Sequence, residues 1–369
     1  MRTLVGVIGV ALLLVILWDG FETIVLPRRV RSRVRLTRLF YAYTWAVWSA
    51  IGRRIHSNDR RDNFLSYFGP LSLLMLLAVW AVGMTTSFAL IHWGFSSTLV
   101  GPEGQASFGG ELYMSGSTFF TLGIGDITPR TEGSRLLTVA EAGTGIAFLA
   151  LVIGYLPVIY QAFSRREASI SLLDARAGSP PAAAELLRRH GDGDSAEAMV
   201  QFLRDWERWS AELLESHLSY AVLAYYRSQH DSQSWLASLT MLLDVCALVV
   251  AGVDGIPPRP ARLAFAMARH AAVDLSQILG TPPRPPAADR LPPSDLARLR
   301  AILAGAGVPL REGAAAERKL AEMRAKYEPY VNAMSAHLLM PLPAWLPAPD
   351  TSDDWQTSVF EHVSTARIM

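Results

Sequence analysis

The sequence predicts an all-α membrane protein: an outer helix, a re-entrant short helix with an extended segment, an inner helix, and then an all-helical cytoplasmic domain. Three observations carry that prediction. Apolar residues make up 51% of the 369-residue chain and mean hydropathy is +0.23, high for a soluble protein, with the excess in the first half. Two long apolar segments, each matching the ~20 residues a spanning helix needs, bracket a Gly-rich polar stretch that cannot cross a membrane itself. Beyond residue 166, Ala, Arg, Glu and Leu dominate and proline clusters cut the chain into helical pieces, with no run of alternating strand pattern.

Composition also excludes much. A formal net charge of +1 argues against a polyelectrolyte, and no nucleic-acid partner is expected. The single cysteine, Cys246, rules out an intrachain disulfide and a Cys-based metal site; set in an apolar run, it reads as a buried inert thiol. No Walker sequence, HExxH or zinc spacing occurs, so neither an enzyme nor a cofactor is expected.

The first domain, 1–64, reads as a membrane anchor with a basic and aromatic interfacial segment. Thr3 to Leu26 is apolar up to Trp18 and is followed by no small-residue cleavage site, so it reads as an uncleaved anchor. Asp19 and Glu22 lie on one helical face near its end. An intramembrane cation or proton site is one reading; an interfacial pair answering the downstream arginines is the favoured one. Arg28, Arg29, Arg31, Arg33, Arg35 and Arg38 form a run without acids. The run lacks the apolar span a voltage sensor needs, and it reads as a cytoplasmic segment lying on anionic lipid. Leu39 to Gly52, rich in Tyr and Trp and bounded by basic residues on both sides, suits an interfacial or re-entrant helix better than a crossing.

The second domain, 65–165, holds the strongest membrane signal. Phe64 to Phe95 forms an outward apolar helix with Pro70 in its first turn and Trp93 at the far interface. Ser96 to Gly110 is a loop, and Glu111 to Phe120 a short amphipathic helix. Arg135 to Phe163 is a returning apolar helix, expected to end at Ser164-Arg165-Arg166 in the cytoplasm. Between the short helix and the returning one stands Thr121-Leu-Gly-Ile-Gly-Asp126. Successive carbonyls of an ordinary strand point to opposite sides. Aiming several at one axis requires the chain to alternate hand, which glycine does without steric cost. Such a row of carbonyls can replace the water around a dehydrated cation.

With its flanking helices, Thr121-Leu122-Gly123-Ile124-Gly125-Asp126 resembles the filter of the potassium-channel pore-loop family, Thr-Val/Ile-Gly-Tyr/Phe-Gly-Asp. Ile127-Thr128-Pro129 and Glu141-Ala-Gly-Thr-Gly-Ile-Ala continue the likeness to bacterial two-transmembrane and two-pore relatives, over about residues 65–165. The resemblance implies that the carbonyls of Thr121, Leu122, Gly123 and Ile124, with Gly125, line ion sites for permeant potassium. It places Asp126 at the outer mouth, supported by the pore helix at Ser117, and the dipole of that helix toward a central cavity. Ile124 departs from the family's aromatic position and Ser117 from its carboxyl partner, which implies a softer filter. One strand cannot surround an ion, so the single filter implies three further copies of the chain in a homotetramer. Gly145, Gly154 and Pro157 in the inner helix are candidate gating hinges, against the alternative that glycines serve close packing. Glu141 reads as a structural partner behind the filter, with a cavity cation site as the lesser alternative.

The third domain, 166–369, resembles no known module and reads as an assembly and gating domain. Met199, Phe202, Trp206, Trp209 and Leu213 form one buried stripe. Leu320, Met323, Tyr327, Tyr330 and Met334 repeat the pattern. Trp235 to Val253 is apolar enough to span, but Asp244 at its centre would cost roughly 3 kcal/mol in a bilayer, so a buried soluble helix is expected. The expectation is a potassium-selective channel of a prokaryotic-type plasma membrane, multi-pass, with its C-terminal domain cytoplasmic. A weakly selective cation channel and a non-conducting membrane sensor or scaffold stay open as alternatives.

Overall fold

The computed structural model describes residues 1–26, 35–95, 99–101, 104–191, 195–230, 233–286, 288–347, 353 and 355. The protein is mostly helical and forms two compact units, Met1–Ile51 with Tyr67–Gln161, and Gly52–Ser66 with Ala162–Met369.

The first unit begins with α1 (Arg2–Gly20), extended by a π-helical turn at Phe21–Val25. It lies against α4 (Phe68–Gly94), whose buried face runs from Phe68 to Gly94. The pair is antiparallel. The Arg2 guanidinium sits over the Trp93 ring at 5.0 Å, Gly9 meets Leu90, Ile16 meets Gly83, and Trp80 Nε1 donates to Asp19 Oδ2 at 3.0 Å. Helix α2 (Leu36–Gly52) lies nearer the start of α4, with Trp45 edge-on against Phe68 at 4.8 Å. Among the described residues α2 is not one of the four helices long and apolar enough to cross a membrane. Pro70 sits in the first turn of α4, as its fixed φ allows.

Asp19 and Glu22 are both buried and have different partners. Glu22 pairs with Arg35 at 3.2 Å, the answer to the basic run that its spacing suggested. Asp19 instead accepts from the Thr37 backbone and hydroxyl, capping the start of α2 while holding Trp80. Arg35 is thereby committed to the protein; Arg28, Arg29, Arg31 and Arg33 lie outside the described residues.

After α4 come β1 (Leu99–Gly101) and β2 (Gly104–Gln105), then α5 (Phe108–Phe119), β3 (Thr128–Pro129) and α6 (Glu132–Ser171). The strands form a small antiparallel sheet in the order β2-β1-β3, with Leu99 opposite Pro129 and Val100 opposite Thr128. An all-α reading therefore needs this correction: strands of two or three residues are too short to leave a periodic pattern. Returning along α4, α6 places Phe148, Val152 and Leu156 against the cluster of Leu76, Leu77, Trp80, Met84 and Phe119.

Helix α6 does not stop at Ser164-Arg165-Arg166 but continues to Ser171, and from Ala162 onward it belongs to the second unit. The charges do not break it because Arg166 is itself buried and fully engaged. Its guanidinium donates to Glu167 and to the carbonyls of Leu223 and Tyr226, each at 2.9 Å.

The second unit also takes in α3 (Asn58–Ser66), held by an Asp62–Arg227 pair at 3.0 Å. Its further helices are α7 (Asp174–Ala177), α8 (Ala183–Arg189), α9 (Ser195–Ser219), α10 (Trp235–Gly252), α11 (Pro258–Ile278), α12 (Pro293–Gly305), α13 (Ala314–Ala325) and α14 (Glu328–Leu338). Met199, Phe202, Trp206, Trp209 and Leu213 all face the core from α9. The stripe from Leu320 to Met334 is divided between two helices, because Pro329 opens a new first turn in α14. Helix α10 is the centre of this unit: 83% of its most apolar window is buried within the chain, against 11% for α6. Asp244 is fully buried there and takes a two-pronged contact from Arg290, at 2.7 and 3.1 Å, and a hydrogen bond from Tyr327. Burial alone would lower the Arg290 pKa, but the charges of Asp244 and Glu328 outweigh it and raise it. A charge so neutralised belongs in a helical core.

Candidate functional site

Helix α5 is too short to cross a bilayer. Ser107 caps its start by accepting from Gly110 N, and 12 residues at ~1.5 Å each give ~18 Å. It buries Met114, Ser115, Ser117 and Phe119 and ends at Phe120, where the backbone turns into the Thr121–Asp126 strand. The residues singled out in the sequence do come together here. Ser117 is the post on which the strand hangs: its carbonyl accepts from Leu122 N at 2.8 Å and Gly123 N at 3.4 Å, and its hydroxyl faces Ile124 N at 3.5 Å.

The strand alternates hand along its length, with φ of +59° at Thr121, +59° at Gly123 and +81° at Gly125. At Gly123 and Gly125 the absent Cβ makes this free of strain; Thr121 carries the cost of a left-handed residue, of order 1–2 kcal/mol. With the amides of Leu122, Gly123 and Ile124 turned back toward α5, the carbonyls of Thr121, Leu122, Gly123 and Ile124 accept no hydrogen bond from the described residues. The residues are exposed, so in a single chain these carbonyls are open to water. The side chains beside them are open as well, Leu122 at 68% and Ile124 at 59% exposure. Asp126 lies exposed at the end of this stretch, where its carboxylate accepts from Ile127 N at 3.1 Å.

His92 on α4 escaped the sequence reading. Glu141 on α6 is fully buried, and His92 Nε2 from α4 stands 3.6 Å from its Oε2. Glu141 therefore turns toward α4 and not to the open face. A lone histidine near the end of an apolar helix was the visible signal.

The three glycine and proline positions of α6 differ in kind. A Cβ at Gly145 would stand 2.0 Å from the Phe119 carbonyl oxygen, so this residue serves a close approach of α6 to the end of α5. Gly154 has nothing within 4 Å, and Pro157 is carried inside the unbroken helix on an exposed face. Among the described residues no group of His, Cys, Asp and Glu side chains could hold a metal ion.

Residues 74–161, from α4 to α6, match the family model described as "Ion channel", so the chain carries an ion channel domain. Over 267 residues, 72% of this chain and 75% of the relative, it is 22% identical to the "Uncharacterized membrane protein YdjJ" of Bacillus subtilis (strain 168). That likeness reaches well past the channel segment. No solved structure matches.

Proposed function

We propose that the protein is a homotetrameric, potassium-selective channel that conducts passively through Thr121–Gly125 and is gated through α6 and its helical domain. The observation that carries this reading is the alternating strand with four successive unpartnered carbonyls, held by Ser117 at the end of a half-length helix. Those carbonyls are the group that replaces the hydration shell of a cation. The face they occupy is open in a single subunit, and α6 leaves most of its apolar surface uncovered. Three further copies around an axis cover both. Helices α1, α4 and α6 are long and apolar enough to cross a membrane, and the basic stretches 28–38 and 53–61 of the sequence support a multi-pass plasma-membrane protein whose helical domain is cytoplasmic.

A weakly selective cation channel is the second reading, favoured by Ile124, which puts no ring behind the strand, and by Ser117, which holds the strand with backbone contacts instead of a carboxyl pair. Purified protein in planar bilayers under opposed potassium and sodium gradients separates the two. A reversal potential near the potassium value is expected; one near zero selects the weak channel. Gly123→Ala, which puts a Cβ on a left-handed residue of the strand, is expected to abolish current while leaving assembly intact. Silence from intact wild-type tetramers would overturn both readings in favour of a scaffold.

A further inference from the structure

Two of the helices of the proposed pore continue into the second unit. Helix α6 runs unbroken past Gln161 to Ser171, and α3, which leads into α4 across the single residue Tyr67, belongs to that unit as well. One short segment there receives both. Arg166 of α6 donates to the carbonyls of Leu223 and Tyr226, each at 2.9 Å, and the Phe163 ring stands 5.6 Å from the Tyr226 ring. The next residue, Arg227, donates to Asp62 Oδ1 of α3 at 3.0 Å. Its other terminal nitrogen donates to the carbonyls of Leu338 and Leu339 at 3.1 and 2.9 Å, at the end of α14, where helical carbonyls lack partners of their own. A single peptide unit, Tyr226–Arg227, therefore stands between the exit of α6 and the lead-in of α4. The planar fork of each arginine fixes direction as well as distance, so the two ends are tied in register and not merely attracted.

We propose that Arg227 and Asp62 are positioning residues that clasp the exit of the inner helix to the lead-in of the outer one and so oppose opening of the channel; the proposal rests on the channel reading above. Bending of α6 at Gly154 or Pro157 has to carry Arg166 with it, and Arg166 carries Tyr226 and Arg227. Either the contact with Asp62 then lengthens or α3 follows, and only one residue joins α3 to α4. The state with the clasp intact is favoured by the worth of that contact, and loosening it shifts the equilibrium toward the state without it. The clasp touches no residue of Thr121–Gly125, so it governs how often the pore opens and not which ion it passes.

The test is Asp62→Asn, Asp62→Glu and Arg227→Gln, each purified as the full chain and compared with wild type in planar bilayers. The readouts are the open-to-closed ratio and the potassium-to-sodium permeability ratio. Asp62→Asn is expected to raise the open-to-closed ratio about threefold or more, the scale of losing one net hydrogen bond, at an unchanged permeability ratio. Asp62→Glu keeps the charge and should return the ratio toward wild type. Adding Asp62→Asn to Arg227→Gln should change nothing further, since Asp62 acts through Arg227. Asp62 is half-buried on a short helix, so its variants keep the question answerable if Arg227→Gln does not assemble. An open-to-closed ratio in Asp62→Asn that is unchanged or lowered would show a merely structural pair and overturn the clasp, as would a changed permeability ratio. Silence from wild type and variants alike would instead overturn the channel reading beneath it.

Discussion

Arg166 is where the inner helix is fastened into the helical domain, and replacing it gives a graded prediction. The guanidinium is buried and makes three hydrogen bonds of 2.9 Å, to the Glu167 carboxylate and to the carbonyls of Leu223 and Tyr226 around the 3-10 turn Ala221–Tyr225. It also lies over the Phe163 ring at 5.2 Å. Arg166→Met leaves Glu167, itself buried, without its partner and leaves the two carbonyls without a donor. Removing one member of a buried pair costs about 3–5 kcal/mol. At about 2–4 °C per kcal/mol for a unit of this size, unfolding should fall by about 6–20 °C. Arg166→Lys should lose less, because a point charge can satisfy one of the carbonyls but not the planar pair. The assay is thermal unfolding of the full chain in detergent, followed by tryptophan fluorescence, since Trp206, Trp209 and Trp235 all report from this unit. Unfolding of Arg166→Met within about 2 °C of wild type would refute the reasoning, because it would mean the end of α6 is not anchored there.

Two further outcomes follow from the same unit. Arg290→Ala strips the fully buried Asp244 of its two-pronged partner and should destabilise by about 3–5 kcal/mol, whereas replacing Asp244 and Arg290 together by leucine should cost far less; equal losses in urea titrations would sink the pairing. His217 is held neutral: burial, then the Arg166 charge, pushes its pKa down to about 3, against a hydrogen bond with the Leu213 carbonyl. Because the unfolded chain takes up the proton first, this stability is present above about pH 6.5 and is lost at about 1.4 kcal/mol per pH unit toward pH 3. His217→Gln should flatten that slope, measured as the difference in unfolding free energy between pH 7 and pH 5.

The parts of this protein that could be read from its sequence are those with a local signature. Spanning helices announce themselves by apolar length, and the strand at Thr121–Asp126 by glycines that alternate with apolar residues. The order of α4, α5, strand and α6 followed from these, and the burial of α10 followed from the single charge at Asp244. What stayed hidden depends on contacts between distant residues. Arg165-Arg166 looks like the end of a membrane helix until Leu223 and Tyr226 are seen to receive the guanidinium. Glu141 cannot name His92 from 49 positions away (141 − 92).

The pairing of β1 with β3 has a consequence for chain entropy. Leu99 and Pro129 are opposite one another, so the 29 residues between them (129 − 99 − 1), which include α5 and the whole of Thr121–Asp126, form a closed ring. The cost of bringing its ends together is met within the chain itself. Lengthening the ring is cheap, since doubling a loop adds only about 0.6 kcal/mol. Opening the clasp is a different matter, because it returns to both ends of the segment the freedom that folding had removed. The two short strands act in this respect as a crosslink without a covalent bond, and they hold α5 and Thr121–Asp126 between tied ends.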